Sequence, residues 1–285
     1  MAASTTNWFD LTVYLKSNIL CRVSVPDVLE NAQKVCTDWF KICKQPSMWK
    51  VLNLDNSMLN NADSARCLKM SKHAVDRSQG QLVDITFPKF KTKENDEFLL
   101  YVADRASQLK RLTMSCSSWG YGLKRLPEAL KKFPLLEELT LYSVIVFTQI
   151  IESLARYCPL LKTLTVDHEP HGSWNTQVPL YDGLAISIGE NLHDLRHLTL
   201  LANGVSDIGL QVILDGCPHL ESLDLTMCWN INLKGDVVKK CKEQIKCLLL
   251  PNRNVRTKKY DNDLVHYDYG LFDSFESYYT DYYSL

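Results

Sequence analysis

Ten cysteines, seven histidines and 33 carboxylates are the residues of this 285-residue chain that could hold a metal ion or move a proton. Their spacing argues against both. His168-x-x-His171 and His193-x-x-x-His197 are the possible metal pairs, but no cysteine or acidic set completes the four ligands of a zinc site. His193 and His197 also straddle a predicted helix–strand junction, so they do not share a helix face. Gly120-Tyr121-Gly122 follows a predicted strand, as a nucleotide loop would, but Arg125 stands where the third glycine is needed. A turn between two repeated units accounts for it better. There is no Gly-x-Ser-x-Gly elbow and no Walker loop. The expectation is a chain without catalytic residues, bound metal or cofactor.

Bulk properties narrow the partners. The formal net charge is -1, without the basic excess of a general nucleic-acid or anionic-membrane binder. No apolar run approaches the ~18 residues of a membrane span. Met1 to Asn7 lacks a basic-then-apolar leader. No two cysteines form a Cys-x-x-Cys pair, and Cys158 and Cys217 fall on predicted helix core positions. The cysteines therefore read as buried, reduced thiols of a cytoplasmic or nuclear protein.

The positional order lies in the apolar residues. The phrase apolar-x-x-apolar-x-apolar begins at Leu82, Leu109, Leu136, Leu161, Leu195, Leu220 and Ile245, with an imperfect first copy at Trp49, Leu52 and Leu54. At 46% hydrophobic residues, roughly one triple in ten fits by chance, so the period carries the signal. Ten, seven and three residues before successive phrases stand Leu99, Val102, Ala106; Leu126, Ala129, Phe133; Ile151, Leu154, Cys158; Ala185, Ile188, Leu192; and Leu210, Ile213, Cys217. That spacing is one face of a helix. Each unit is a helix, a short connection and a short strand. Proline at Phe133-Pro134, Cys158-Pro159 and Cys217-Pro218 stops the helix. These units resemble leucine-rich repeats of the subtype with cysteine and proline before the strand, over about residues 80–250. The fold class implied is α/β: a right-handed solenoid with about seven parallel strands, stable only because each unit buries its apolar edge on the next.

Residues 8–50 obey a different rule. Leu11, Leu15, Ile19 and Val23 share one face of a first predicted helix. Pro26 can open a second, with Val28, Leu29, Ala32, Val35 and Cys36 as its apolar residues. Thr37 can cap a third, carrying Trp39, Phe40 and Cys43, which Pro46 ends. So small a unit needs something to lean on. Its motifs are Trp8-Phe9-Asp10-Leu11, Ile19-Leu20, Val35-Cys36-x-x-Trp39 and Pro46-x-x-Trp49, and together they resemble an F-box. An F-box followed by leucine-rich repeats is an order abundant in plants. The resemblance implies that the three helices bind the Skp-type adaptor of a cullin–RING ubiquitin ligase and that the repeats hold a protein substrate. Carried over by position, the adaptor-facing residues are Leu11, Thr12, Ile19, Leu20, Val35, Cys36, Trp39 and Trp49, although some can instead hold the helices together. Where the family has Leu-Pro-x-acidic, this chain reads Leu11-Thr12-Val13-Tyr14. Loss of the proline's buried carbons would cost about 1 kcal/mol.

Between the two parts, residues 51–80 read as a connector helix and first repeat cap. The helix is capped by Asn61 or Asp63, runs through Ala65, Leu68 and Ala74, and is closed by Gly80. Within the repeats, Thr86, Thr113, Thr140, Thr165 and Thr199, followed by Asp224 and Leu249, form an outward column. Beside it run Asp84, Arg111, Glu138, Thr163, His197, Ser222 and Cys247. Arg111, Glu138, Tyr142 and His197 are the candidate substrate contacts, with Trp174 in the surplus of the 34-residue unit (Asp167–Asn175). Trp174 is either a binding tip or a lid on the core. Residues 251–285 hold seven of the thirteen tyrosines, with basic residues from Arg253 to Lys259 and acids from Asp261 to Asp281. Without an apolar period they read as disordered, or Tyr278, Tyr279, Tyr282 and Tyr283 cap the last repeat.

Overall fold

The computed structural model describes residues 11–55, 64–90, 92–115, 123–144, 146–167, 182–232 and 234–251. Strands β1 (Val51–Asn53), β2 (Asp84–Thr86), β3 (Arg111–Ser115), β4 (Glu138–Tyr142), β5 (Thr163–Asp167), β6 (His197–Leu201), β7 (Ser222–Asp224) and β8 (Cys247–Leu249) form one parallel sheet in chain order. The helices between them are α4 (Ser64–Arg77), α5 (Thr92–Ala103), α6 (Leu126–Leu130), α7 (Thr148–Tyr157), α8 (Gly183–Asn191), α9 (Asp207–Gly216) and α10 (Asp236–Gln244). The sheet thus has eight strands among the described residues, one more than the seven full phrases predict. The imperfect copy at Trp49 is a full row: β1 pairs with β2, and Trp49, Leu52 and Leu54 are buried like their counterparts. Helix α4 follows it as the helix of the first repeat. The predicted caps Asn61 and Asp63 lie outside the described residues. Gly80, at φ +80°, turns the chain after α4 in a conformation that L side chains rarely adopt.

Every predicted helix triple is buried, from Leu99, Val102 and Ala106 to Leu210, Ile213 and Cys217. The same holds for the three phrase positions in each row up to Leu220, Leu223 and Leu225. At about 1.5–3 kcal/mol per buried Leu, this stacked core dominates the stability. Buried cysteines connect one repeat to the one before: the thiols of Cys217 and Cys228 donate to the carbonyls of Leu192 at 3.5 Å and Leu200 at 2.9 Å. Burial pushes the Cys158 and Cys228 thiols up to about 12 and those of Cys217 and Cys241 up to about 11. Nine cysteines among the described residues form no disulfide. No helix of the described residues is long and apolar enough to cross a membrane.

The rows are locked at the start of each strand by a repeated device. The Lys110 carbonyl accepts the Glu137 and Glu138 amides at 2.8 and 3.0 Å. The Glu137 carbonyl does the same for Lys162 and Thr163, and the Lys162 carbonyl for Arg196 and His197. Helices α8 and α9 approach so closely that a Cβ on Gly216 would lie 1.9 Å from the Gly189 carbonyl oxygen.

The head comprises α1 (Val13–Leu20), α2 (Val25–Glu30) and α3 (Thr37–Cys43), with 3-10 turns at Ala32–Lys34 and Pro46–Trp49. Pro26 sits in the first turn of α2, after the Ser24 cap. Cys36, not Thr37, precedes the first residue of α3. Val35 and Cys36 lie beyond the end of α2, in the approach to α3, not on the second helix as the spacing predicts. Ile42, Cys43 and Met48 join the same core as Trp49, Leu52 and Leu54, so the head plugs the β1 end of the solenoid.

Candidate functional site

Two surfaces qualify as binding sites: the outer side of the head and the exposed face of the sheet. On α1 the predicted apolar stripe faces away from the core at Leu15 and Ile19. The helix buries Lys16 and Leu20, four residues apart on one face, with the Lys16 amine 3.6 Å from the Asp38 carboxylate. Leu15 and Ile19, one position back along the same turns, are exposed at 46% and 44%, and Leu11 is half-buried. Val13, Tyr14, Val35 and Phe40 add further exposed apolar surface, Tyr14 at 74%. Thr12 starts α1 as its cap: its hydroxyl accepts from the Leu15 amide at 3.3 Å. Its φ of -62° is the value a proline ring would fix.

Two of the eight predicted adaptor-facing residues are therefore reassigned. Leu20 is fully buried beneath α1. Trp49 is 2% exposed; its indole N–H donates to the Cys43 carbonyl at 2.9 Å, and the Arg77 guanidinium lies 5.7 Å from its ring. Both serve the chain's own core, and neither can touch a partner without the head unpacking. Leu11, Cys36 and Trp39 are half-buried, while Thr12, Ile19 and Val35 are exposed. Val13, Tyr14, Leu15 and Phe40 are apolar surface that sequence reasoning did not assign to a partner. The signal was the Lys16/Leu20 pair, which fixes the buried side of a helix too short to show a period.

On the sheet, strand register brings the predicted columns together. Thr86, Thr113, Thr140, Thr165, Thr199, Asp224 and Leu249 pair in sequence from β2 to β8. So do Asp84, Arg111, Glu138, Thr163, His197, Ser222 and Cys247. Arg111 is committed within its column: its guanidinium donates to Asp84 at 2.8 Å, which holds its pKa above the ordinary arginine value. Glu138, Thr163 and His197 line an open depression of about 370 Å³ with Glu137, Leu160 and Lys162. His197 Nδ1 lies 2.9 Å from the Ser222 hydroxyl. Tyr142 does not join them. It ends β4, four residues beyond Glu138, or about 13 Å along the strand, in a separate column with Ser115, Asp167 and Leu201. Trp174, His168 and His171 lie outside the described residues. His193 Nδ1 lies 2.8 Å from the Gly216 carbonyl. No group of three metal-ligating side chains occurs among the described residues. The sheet face can thus bind by shape, hydrogen bonds and mixed charge.

Comparison with known proteins adds a family. No family model matches the chain. F-box/LRR-repeat protein 23 of Arabidopsis thaliana is 41% identical over 246 residues, covering 86% of this chain and 54% of its own length. The chain thus spans about half the length of that relative. F-box protein SKIP19 of Arabidopsis thaliana is 40% identical over 256 residues, covering 88% of this chain and 79% of its own length. For F-box/LRR-repeat protein 9 of Arabidopsis thaliana the figures are 38% over 239 residues, 82% and 92%. Among solved structures, a TLR13–ssRNA13 complex aligns at a TM-score of 0.41 and 16% identity, over 72% of this chain and 30% of the other. A yeast Rad7–Elc1 complex aligns at 0.35 and 12%, over 87% of each chain. Neither likeness is strong enough to bear on function. A small helical head fused to an in-register parallel solenoid, together with relatives at about 40% identity over most of their own length, shows that the chain belongs to the plant F-box/leucine-rich-repeat family.

Proposed function

We propose that this protein is a substrate-recognition subunit of a Skp–cullin–F-box ubiquitin ligase. The head docks on a Skp-type adaptor, and through it on a cullin. The exposed columns of the sheet hold a protein substrate. The chain contributes no chemistry of its own; it raises the local concentration of substrate beside an enzyme carried elsewhere in the assembly. A role in such a ligase implies a cytoplasmic or nuclear protein, and cysteines without disulfides support that reading.

The observation that supports this reading best is the direction of the apolar stripe on α1. A head whose only task was to plug the solenoid would bury Leu15 and Ile19; here they face out, beside Val13 and Tyr14. Exposed apolar patches of this kind mark interaction sites. Thr12 keeps the backbone angle of the proline it replaces, so the departure from the family motif costs side-chain contact rather than helix geometry.

Pull-down and calorimetry with a purified Skp-type adaptor test the reading. Binding should be lost or weakened at least tenfold in Ile19→Glu, with the melting temperature nearly unchanged, since surface substitutions stay within about 0.5 kcal/mol. No binding of the unaltered chain at micromolar concentration would instead make it a leucine-rich-repeat scaffold outside the ligase, a reading that Thr12 and Tyr14 favour.

A further inference from the structure

The solenoid is finished at one end and unfinished at the other. At the β1 end the three phrase positions, Trp49, Leu52 and Leu54, are buried in one core with the head. At the β8 end no described element covers the edge. Leu248 and Leu250 hold the second and third phrase positions, which are buried in every earlier row, yet both are only half-buried. Leu249, in the outward column between them, is a leucine 58% exposed where the preceding rows carry Thr199 and Asp224. Strand β8 is the outermost of the sheet, so one side of its backbone has no strand partner among the described residues. Below it, a cavity of about 380 Å³ stands open between the last two repeats, lined by Leu214, Pro218, Leu220, Gln244 and Ile245 among others.

We infer that the chain's own segment 260–285 docks on this end and caps it. Three observations select that occupant. The first is charge. Residues 234–251 carry five lysines, of which Lys239, Lys240 and Lys246 pair with Asp236, Asp215 and Glu221; with those three acids and Glu243 counted the end keeps a net +1, whereas 260–285 carry six acids and no lysine or arginine, net -6. The second is composition: the segment holds Leu264, Val265, Leu271, Phe272 and Phe275 besides seven tyrosines, enough apolar surface to cover a row that needs it. The third is reach. Residues 252–259 form an eight-residue spacer that starts where β8 ends and spans up to about 28 Å, several times the ~4.8 Å between rows. Joined to the surface it covers, the segment meets it at a high effective concentration, so weak contacts suffice. Terminal units of a solenoid need such a cover.

A photo-crosslinker placed in the full chain tests this. With p-benzoylphenylalanine in place of Leu249, irradiation at low protein concentration should give crosslinks within one chain, to peptides from 260–285. Changing the six acids to their amides should reduce the yield severalfold, as should 1 M salt, which shortens screening to about 3 Å. Crosslinks to a second copy would show that the edge is a dimer contact, and an absence of crosslinks that it stays bare; either result overturns the proposal. Hydrogen exchange on the unsubstituted chain gives an independent reading. The amides of residues 247–250 should exchange at least tenfold more slowly than in the amide-substituted chain, and equal rates would overturn the proposal.

Discussion

The two ends of the solenoid carry the same apolar phrase and treat it in opposite ways. At the β1 end, Trp49, Leu52 and Leu54 open the series with a tryptophan in place of leucine, and none of the three is more than 2% exposed. At the β8 end, Ile245, Leu248 and Leu250 fit the pattern well, yet only Ile245 is buried and Leu248 and Leu250 are half-buried. Burial in a stacked fold is thus decided by the neighbour a row has, not by the quality of its own motif.

The widest test of that difference is Trp49→Ala, which should cost about 3–5 kcal/mol in urea unfolding, because it removes a large side chain and one of the two donors, with Arg77, to the Cys43 carbonyl. A cost below ~1 kcal/mol would mean that the head does not plug the solenoid. Next comes a matched pair at the second phrase position. Leu139→Ala should cost about 2–5 kcal/mol, and Leu248→Ala no more than about 1, since its cavity would open to solvent. Equal costs would erase the contrast. Gly216→Ala should cost about 1–3 kcal/mol, because the new methyl meets the backbone of α8; it marks a close contact one repeat in from the β8 end.

Titration sharpens the comparison with smaller effects. The thiols of Cys158, Cys217, Cys228 and Cys241 are held above their ordinary value of 9.0 by burial. Raised acid groups stabilise fully below the unfolded pKa, so stability should hold to about pH 9. It should then fall towards pH 11–12, as unfolded thiols ionise and folded ones resist. The slope of urea midpoints against pH should flatten in Cys158→Ala. The smallest effect lies at the acid side of the last repeats. Lys240 holds the Asp215 carboxyl below its usual value, Lys246 and Arg196 hold Glu221 down, and Lys239 holds Asp236 down. Lowered groups stabilise above the unfolded pKa and lose that contribution as pH falls through the folded one. Hydrogen exchange in α10 should therefore speed up below about pH 4 before that in α7, and only at low salt.

Much of the solenoid was legible because its signal is redundant. Leu99, Val102 and Ala106 define one helix face, and four more triples repeat it. The paired columns followed from the phrase alone, since equal spacing in successive strands fixes register. The head repeats nothing. Its first helix has eight residues, and Leu11, Leu15 and Ile19 make as good a stripe as Lys16 and Leu20 make a poor one. The chain nevertheless buries the latter, because a lysine stem packs as hydrocarbon while its amine reaches Asp38. Residue type could not separate core from contact at Leu20 and Trp49, where both uses demand a large apolar side chain. Tyr142 was grouped with Glu138 although strand length sets them apart.

In-register stacking also makes the protein a ruler. Each row adds about 4.8 Å along the spine, so β6, with His197, stands five rungs or about 24 Å from β1 and the head behind it. Inserting or deleting one whole repeat would move everything beyond it by a single rung, while the surfaces at either end kept their chemistry. Reach in this architecture is counted in whole units and can be reset without redesigning either grip.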